Sequence, residues 1–206
     1  MYVKICGLRE AGDARFVADE GADAIGVVMS PGSPRDASEE QAASVVAAVR
    51  GTGIDTVLVV RGIPAADAAR TAQRLGFDVL QLHGGYDAAD FAAAGRLMPR
   101  LWRAVPISSG LRAGEFGEER LLIDGAVPGS GETWDLSQLR EGDAPDRLGG
   151  QWLLAGGLDA ENVGAAVALV DPWGVDVSSG VESSPGRKDR DRIHRFITAA
   201  RGVPGA

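Results

Sequence analysis

Residues 152–182 read WLLAGGLDAENVGAAVALVDPWGVDVSSGVE. The stretch opens on a short apolar run, Trp152 to Ala155, and closes on another, Val175 to Ser178. Between them Asp159 precedes Val163, Ala166, Val167 and Val170, which share one face at helical spacing. Two buried strands joined by one amphipathic helix make the unit of a parallel sheet, because parallel neighbours need a long crossover. After the first strand come Gly156 and Gly157, and after the second Ser178, Ser179 and Gly180, all residues that let a backbone approach a ligand closely.

The pattern repeats in both directions from this stretch. Further apolar runs lie at Val3 to Cys6, Ala24 to Met29, Thr56 to Val60, Val79 to Leu82, Leu101 to Val105 and Leu121 to Asp124, which makes eight candidate strands. Ser38 and Gln41 form a capping box before Ala42, Val45, Val46 and Val49. Pro64 opens a helix that Gly76 can close, and a last helix presents Ile193, Phe196, Ile197 and Ala200. Segment 107–119, with Gly110, Gly114 and Gly117, reads as an irregular crossover, and segment 140–150 reads as loop. Strict alternation of eight strands with crossovers predicts an α/β fold, a single (β/α)8 TIM barrel over residues 1–206; an open doubly wound sheet gives a similar pattern.

Composition bounds what such a barrel does. The 206 residues carry 29 acidic and 21 basic side chains, a formal charge of −8, which argues against a nucleic-acid partner. A single cysteine, Cys6, excludes an internal disulfide and a thiolate-rich metal site. With no signal-peptide pattern at Met1 to Cys6 and no apolar run of membrane-spanning length, the expectation is a cytoplasmic protein without a membrane partner.

Strand parity then points to a site. In a barrel, alternate residues face the interior, and on that parity Lys4, Cys6, Gln81, His83, Arg103, Asp124, Asp176 and Ser178 are expected to converge there. Buried polar groups must pair with each other or meet a ligand, so Lys4, Arg103 and Asp176 either neutralise one another in a filled core or serve a site. Cys6, His83, Asp124 and Ser178 end their strands on the face where barrel enzymes keep their chemistry. The glycine and serine loops after the seventh and eighth strands suit a phosphate. Arg35, after Ser33-Pro34, offers a fork for a planar carboxylate or is a solvated surface arginine. The loop Gly125 to Trp134 is either a lid over Asp124 or an ordinary connection.

Six segments in order carry a resemblance to the phosphoribosylanthranilate isomerase family: Lys4 to Gly7, Ser33 to Arg35, Gln81 to Gly84, Leu122 to Asp124, Ala155 to Leu158, and Asp176 to Glu182 followed by Pro185-Gly186 and Lys188-Asp189. The resemblance implies a (β/α)8 barrel of tryptophan biosynthesis that turns N-(5'-phosphoribosyl)anthranilate into 1-(o-carboxyphenylamino)-1-deoxyribulose 5-phosphate, with no metal or organic cofactor. It implies Cys6 as general base, Asp124 as general acid and Arg35 on the anthranilate carboxylate. It also implies Gly156, Gly157, Ser178, Ser179 and Gly180 around the phosphate, with Lys4, His83 and Asp176 elsewhere in the pocket. The loop after Asp124 departs from the family pattern by carrying Pro128 and ending on Trp134. Histidine-pathway barrels with similar chemistry place an aspartate where this chain has Cys6.

Two other readings compete. Lys4 forms a Schiff base in a sugar-phosphate lyase, or the chain binds a phosphosugar without turning it over. Taken alone, Cys6 is a small buried hydrophobe, Asp124 a cap or ion-pair partner and His83 a core histidine. Protein partners leave no mark on the sequence.

Overall fold

The computed structural model describes residues 1–108, 110–125, 136, 139–140 and 142–202. Eight parallel strands close into a barrel in chain order: β1 (Tyr2–Cys6), β2 (Ala24–Val28), β3 (Asp55–Val60), β4 (Val79–His83), β5 (Leu101–Pro106), β6 (Arg120–Asp124), β7 (Trp152–Ala155) and β8 (Gly174–Val177). β8 pairs back onto β1, with Lys4 beside Asp176. The open-sheet alternative is therefore excluded. Outside lie α1 (Ala11–Asp19), α2 (Glu39–Ala48), α3 (Ala65–Leu75), α4 (Ala88–Gly95), α5 (Ala144–Leu148), α6 (Val163–Val170) and α7 (Arg190–Arg201).

Local chemistry explains the helix ends. At α2, Ser38 Oγ accepts from the Gln41 N–H (3.2 Å) while the Gln41 side chain accepts from the Ser38 N–H (3.0 Å). Gly76 ends α3 at φ 78°, a left-handed cap. Asp87 and Asp90 form a second capping box at α4, a signal of the same kind that the sequence reading passed over. The loop expected over 140–150 is corrected by α5, a five-residue helix with proline in its first turn, which tucks Ala144 and Leu148 inward between flanking glycines.

Side chains divide into two cores. Val3, Ile5, Val27, Leu58, Leu80, Leu82, Leu121, Ile123, Leu154 and Val177 face the helices and join Phe91, Ile193 and Phe196 in the larger one. Cys6, Ala24, Val57, Val59, Val79, Trp102, Ala104, Leu122, Leu153 and Ala155 fill the barrel interior. Arg103 does not belong there, contrary to the parity assigned to it. The ladder sets it beside Leu82 and Leu121 on the outer face, whereas Trp102 lies beside Gln81 and points inward. Its guanidinium pairs with Glu115 (2.8 Å) and Glu118 (3.1 Å) and lies over Phe116. The β5–β6 crossover is irregular, as expected, so this ionic cluster covers the strand where a helix would otherwise bring apolar side chains.

Phe196 is fully buried on α7, the helix that packs beside the β1–β8 seam. Phe196→Ala is expected to cost about 3–5 kcal/mol, read as a lower urea midpoint at unchanged slope.

Candidate active site

Cys6 is the last residue of β1 and points into the barrel mouth. Across the ladder it faces Gly26, where an added Cβ would sit 2.7 Å from the thiol sulfur, so a glycine is needed to seat it. Two residues down the same strand, Lys4 is fully buried and its Nζ bonds Asp176 Oδ1 at 2.9 Å. Burial pushes the Cys6 thiol up, the Lys4 charge pulls it down, and burial wins. For Lys4 the balance is reversed: burial disfavours its charge, but Asp176 and Cys6 hold it above the usual lysine value. The expected cation beside the thiol is present, yet the resting group is the thiol.

Asp124 ends β6, separated from β1 around the barrel by β7 and β8. Its Oδ2 lies 3.9 Å from His83 Nε2 at the end of β4, beyond hydrogen-bond reach. Both side chains are accessible from the mouth, at 27% and 30% exposure. Burial holds His83 below the ordinary imidazole value against the pull of Asp124, so His83 is neutral near pH 7. The lid suggested for Gly125 to Trp134 falls, beyond Gly125, outside the described residues.

The loops after β7 and β8 meet at this same mouth. Gly156 and Gly157 have φ 87° and 60°. Gly180, in a single 3₁₀ turn (Ser179–Val181), lies so close to the other loop that a Cβ would fall 1.9 Å from the Leu158 carbonyl oxygen. Ser178 Oγ donates to the Cys6 carbonyl at 3.2 Å, tying the eighth loop to the end of β1. Arg35 reaches the mouth from the loop after β2, but its guanidinium is already engaged, bidentate on Glu182 at 2.7 and 2.8 Å. Among the described residues, no cluster of three or more His, Cys, Asp or Glu side chains is disposed to hold a metal ion. Nor is any described helix long and apolar enough to cross a membrane.

Residues 3–199 match the family described as N-(5'-phosphoribosyl)anthranilate isomerase. The chain belongs to that family. Among solved isomerase-family structures, TrpF from Jonesia denitrificans is 47% identical, with a TM-score of 0.89 over 100% of this chain and 98% of that one. A phosphoribosyl anthranilate isomerase in complex with reduced 1-(o-carboxyphenylamino)-1-deoxyribulose 5-phosphate is 32% identical, with a TM-score of 0.84 over 98% of this chain and 100% of that one. The N-(5'-phosphoribosyl)anthranilate isomerase of Acidithiobacillus ferrooxidans is 41% identical over 98% of each chain. Membership places the chain among the isomerases of tryptophan biosynthesis.

For a phosphoribosylanthranilate isomerase, the fold gathers Cys6, Lys4, Asp176 and Ser178 on one side of the mouth and His83 with Asp124 on the other. Sequence reasoning assigned no role to Glu182 or Lys188. The signal was present, since Glu182 ends the sixth quoted segment and Lys188 is among the residues that follow it, but the turn of Pro185 and Gly186 that brings them together was not read as a hairpin. Because Cys6 is the sole cysteine, its ionisation can be followed directly by thiolate absorbance, with Cys6→Ser as blank. The midpoint is expected above the ordinary value of about 8.5, and higher still in Lys4→Met. A base with a raised pKa is protonated at low pH, so kcat/KM should climb with pH through the alkaline range.

Proposed function

We propose that this chain converts N-(5'-phosphoribosyl)anthranilate into 1-(o-carboxyphenylamino)-1-deoxyribulose 5-phosphate by acid–base catalysis, with Asp124 as acid and Cys6 as base. The observation that carries this reading is their placement at the carboxyl ends of β6 and β1, on one mouth of one barrel. Asp124 gives its proton to the furanose ring oxygen as the C1'–O bond breaks, and the nitrogen lone pair forms the iminium. Cys6 as thiolate takes the C2' proton, and that electron pair moves toward nitrogen to give the enolamine. Protonation at C1' with loss of the 2'-hydroxyl proton yields the ketone. The iminium brings a positive charge to the mouth at the step where Cys6 must be ionised, which offsets the burial that raises its pKa.

In this reading Arg35 receives the anthranilate carboxylate, and the N–H groups of the loops at Gly156-Gly157 and Ser178 to Gly180 receive the phosphate. Lys4, held charged by Asp176, supports the thiolate. No step calls on a metal or organic cofactor. Residues 1–206 act as one barrel domain, in the cytoplasm, on a small phosphosugar, and the acidic balance disfavours nucleic acid. Schiff-base chemistry at Lys4 needs an accessible neutral amine, and Lys4 is fully buried and ion-paired.

The test is turnover of freshly made N-(5'-phosphoribosyl)anthranilate, followed as loss of anthranilate-type fluorescence. Wild type is expected to turn over, and Cys6→Ser and Asp124→Asn to fall by about 10² to 10⁴ in kcat while still binding a reduced product analogue. A folded wild type that binds the analogue without turnover would establish a binding protein instead.

A further inference from the structure

Beyond the eighth strand the chain forms a small antiparallel hairpin, β9 (Glu182–Ser184) and β10 (Arg187–Lys188), turned at Pro185-Gly186. It lies against the loop that carries Arg35. At Gly186 (φ 78°) a Cβ would fall 2.3 Å from the Pro34 carbonyl oxygen, and the Gly186 carbonyl accepts from Arg9 Nη2 at 3.0 Å. The carboxylate of Glu182, only 4% exposed, faces into this junction. It accepts from Arg35 Nε (2.7 Å) and Nη2 (2.8 Å), Lys188 Nζ (2.8 Å) and the Gly186 N–H (3.2 Å). Lys188 in turn reaches the Ser178 carbonyl at 2.9 Å, on the loop beside Cys6.

A carboxylate this buried needs its cations, and the two present exceed what one negative charge can neutralise. Glu182 with Arg35 and Lys188 carries a net charge of +1, which the carboxylate of a substrate would cancel. Both bonds from Arg35 use its Nε/Nη2 edge, which leaves the Nη1 side of the fork outside the pair. The stem of Arg35 crosses Gly7, where a Cβ would be 2.7 Å from Arg35 Cδ, so the guanidinium is held next to the end of β1.

We propose that Glu182 is a positioning residue for substrate selectivity: it fixes Arg35 by one edge so that the other is presented to a carboxylated aryl amine, with Lys188 balancing the charge. This rests on the reading of Arg35 as the carboxylate's partner. A pre-aimed arginine spares the substrate the cost of ordering a long side chain.

The experiment compares the affinities of two analogues for wild type and Glu182→Gln: the reduced o-carboxyphenylamino deoxyribulose phosphate and its phenylamino counterpart without the carboxyl group. Wild type is expected to favour the carboxylated analogue by about 10-fold or more. Glu182→Gln is expected to lose about 10-fold on that analogue, less than 2-fold on the other, and to raise KM more than it lowers kcat. In an Arg35→Met background the same substitution should change neither affinity. If Glu182→Gln does not fold, Glu182→Asp, which withdraws the carboxylate by one methylene, supplies the comparison. Unchanged or tighter binding of the carboxylated analogue would show that Glu182 only competes for Arg35, and equal losses on both analogues would show mere structural support; either overturns the proposal. A wild type that does not distinguish the two analogues removes the Arg35 reading itself.

Discussion

The barrel closes where β8 meets β1, and inside that seam the Lys4 ammonium meets the Asp176 carboxylate with almost no water. Two charges taken out of water gain little net stability from each other, but losing either partner typically costs about 3–5 kcal/mol, because the survivor stays buried and unpaired. The pair therefore makes the closed arrangement obligatory: Lys4 and Asp176 are 172 residues apart and satisfy one another only when the first and last strands are neighbours. It also sets a positive charge two residues below Cys6, at the floor of the mouth.

The chemistry of the mouth follows from that floor. Burial alone would keep Cys6 an inert thiol, and Lys4 and Lys188 both act against burial. The cation nearest in sequence is fixed by the seam. Lys188 is itself disfavoured as a cation by burial and is sustained mainly by Glu182. Thus the same carboxylate that engages Arg35 also keeps a second positive charge within influence of the thiol. The end of β1 and the hairpin beyond β8 are joined through Ser178, which Lys188 and the Cys6 carbonyl both contact.

The rest of the scaffold can be irregular where the mouth does not depend on it. Between β5 and β6 no described residue forms a helix, and Arg103, stacked on Phe116, seals the outer strand surface through ionic contacts with Glu115 and Glu118. At the opposite end of the barrel Tyr2 stacks on Trp173, and Arg100 joins Asp55 to Glu119, a network that braces strand starts and touches none of the groups at the mouth.

Periodicity, strand count and the residues ending each strand were legible in the sequence, because alternation along a strand and amphipathicity along a helix are local properties. Cys6, His83 and Asp124 could be placed at the carboxyl ends of their strands from parity and position alone, and the order of short segments named the family. Arg103 was misplaced because parity in one strand has no origin until its neighbours' register supplies one; Leu82 and Leu121 put it outside. The short helix Ala144–Leu148 was missed because one turn of apolar spacing between glycines carries too little periodic signal. Only the tertiary structure decided that Lys4 meets Asp176, that Arg35 is gripped by Glu182, and that burial keeps Cys6 a thiol. These depend on which distant side chains share a dry space, and burial and charge pairing are properties of that space, not of any stretch of chain.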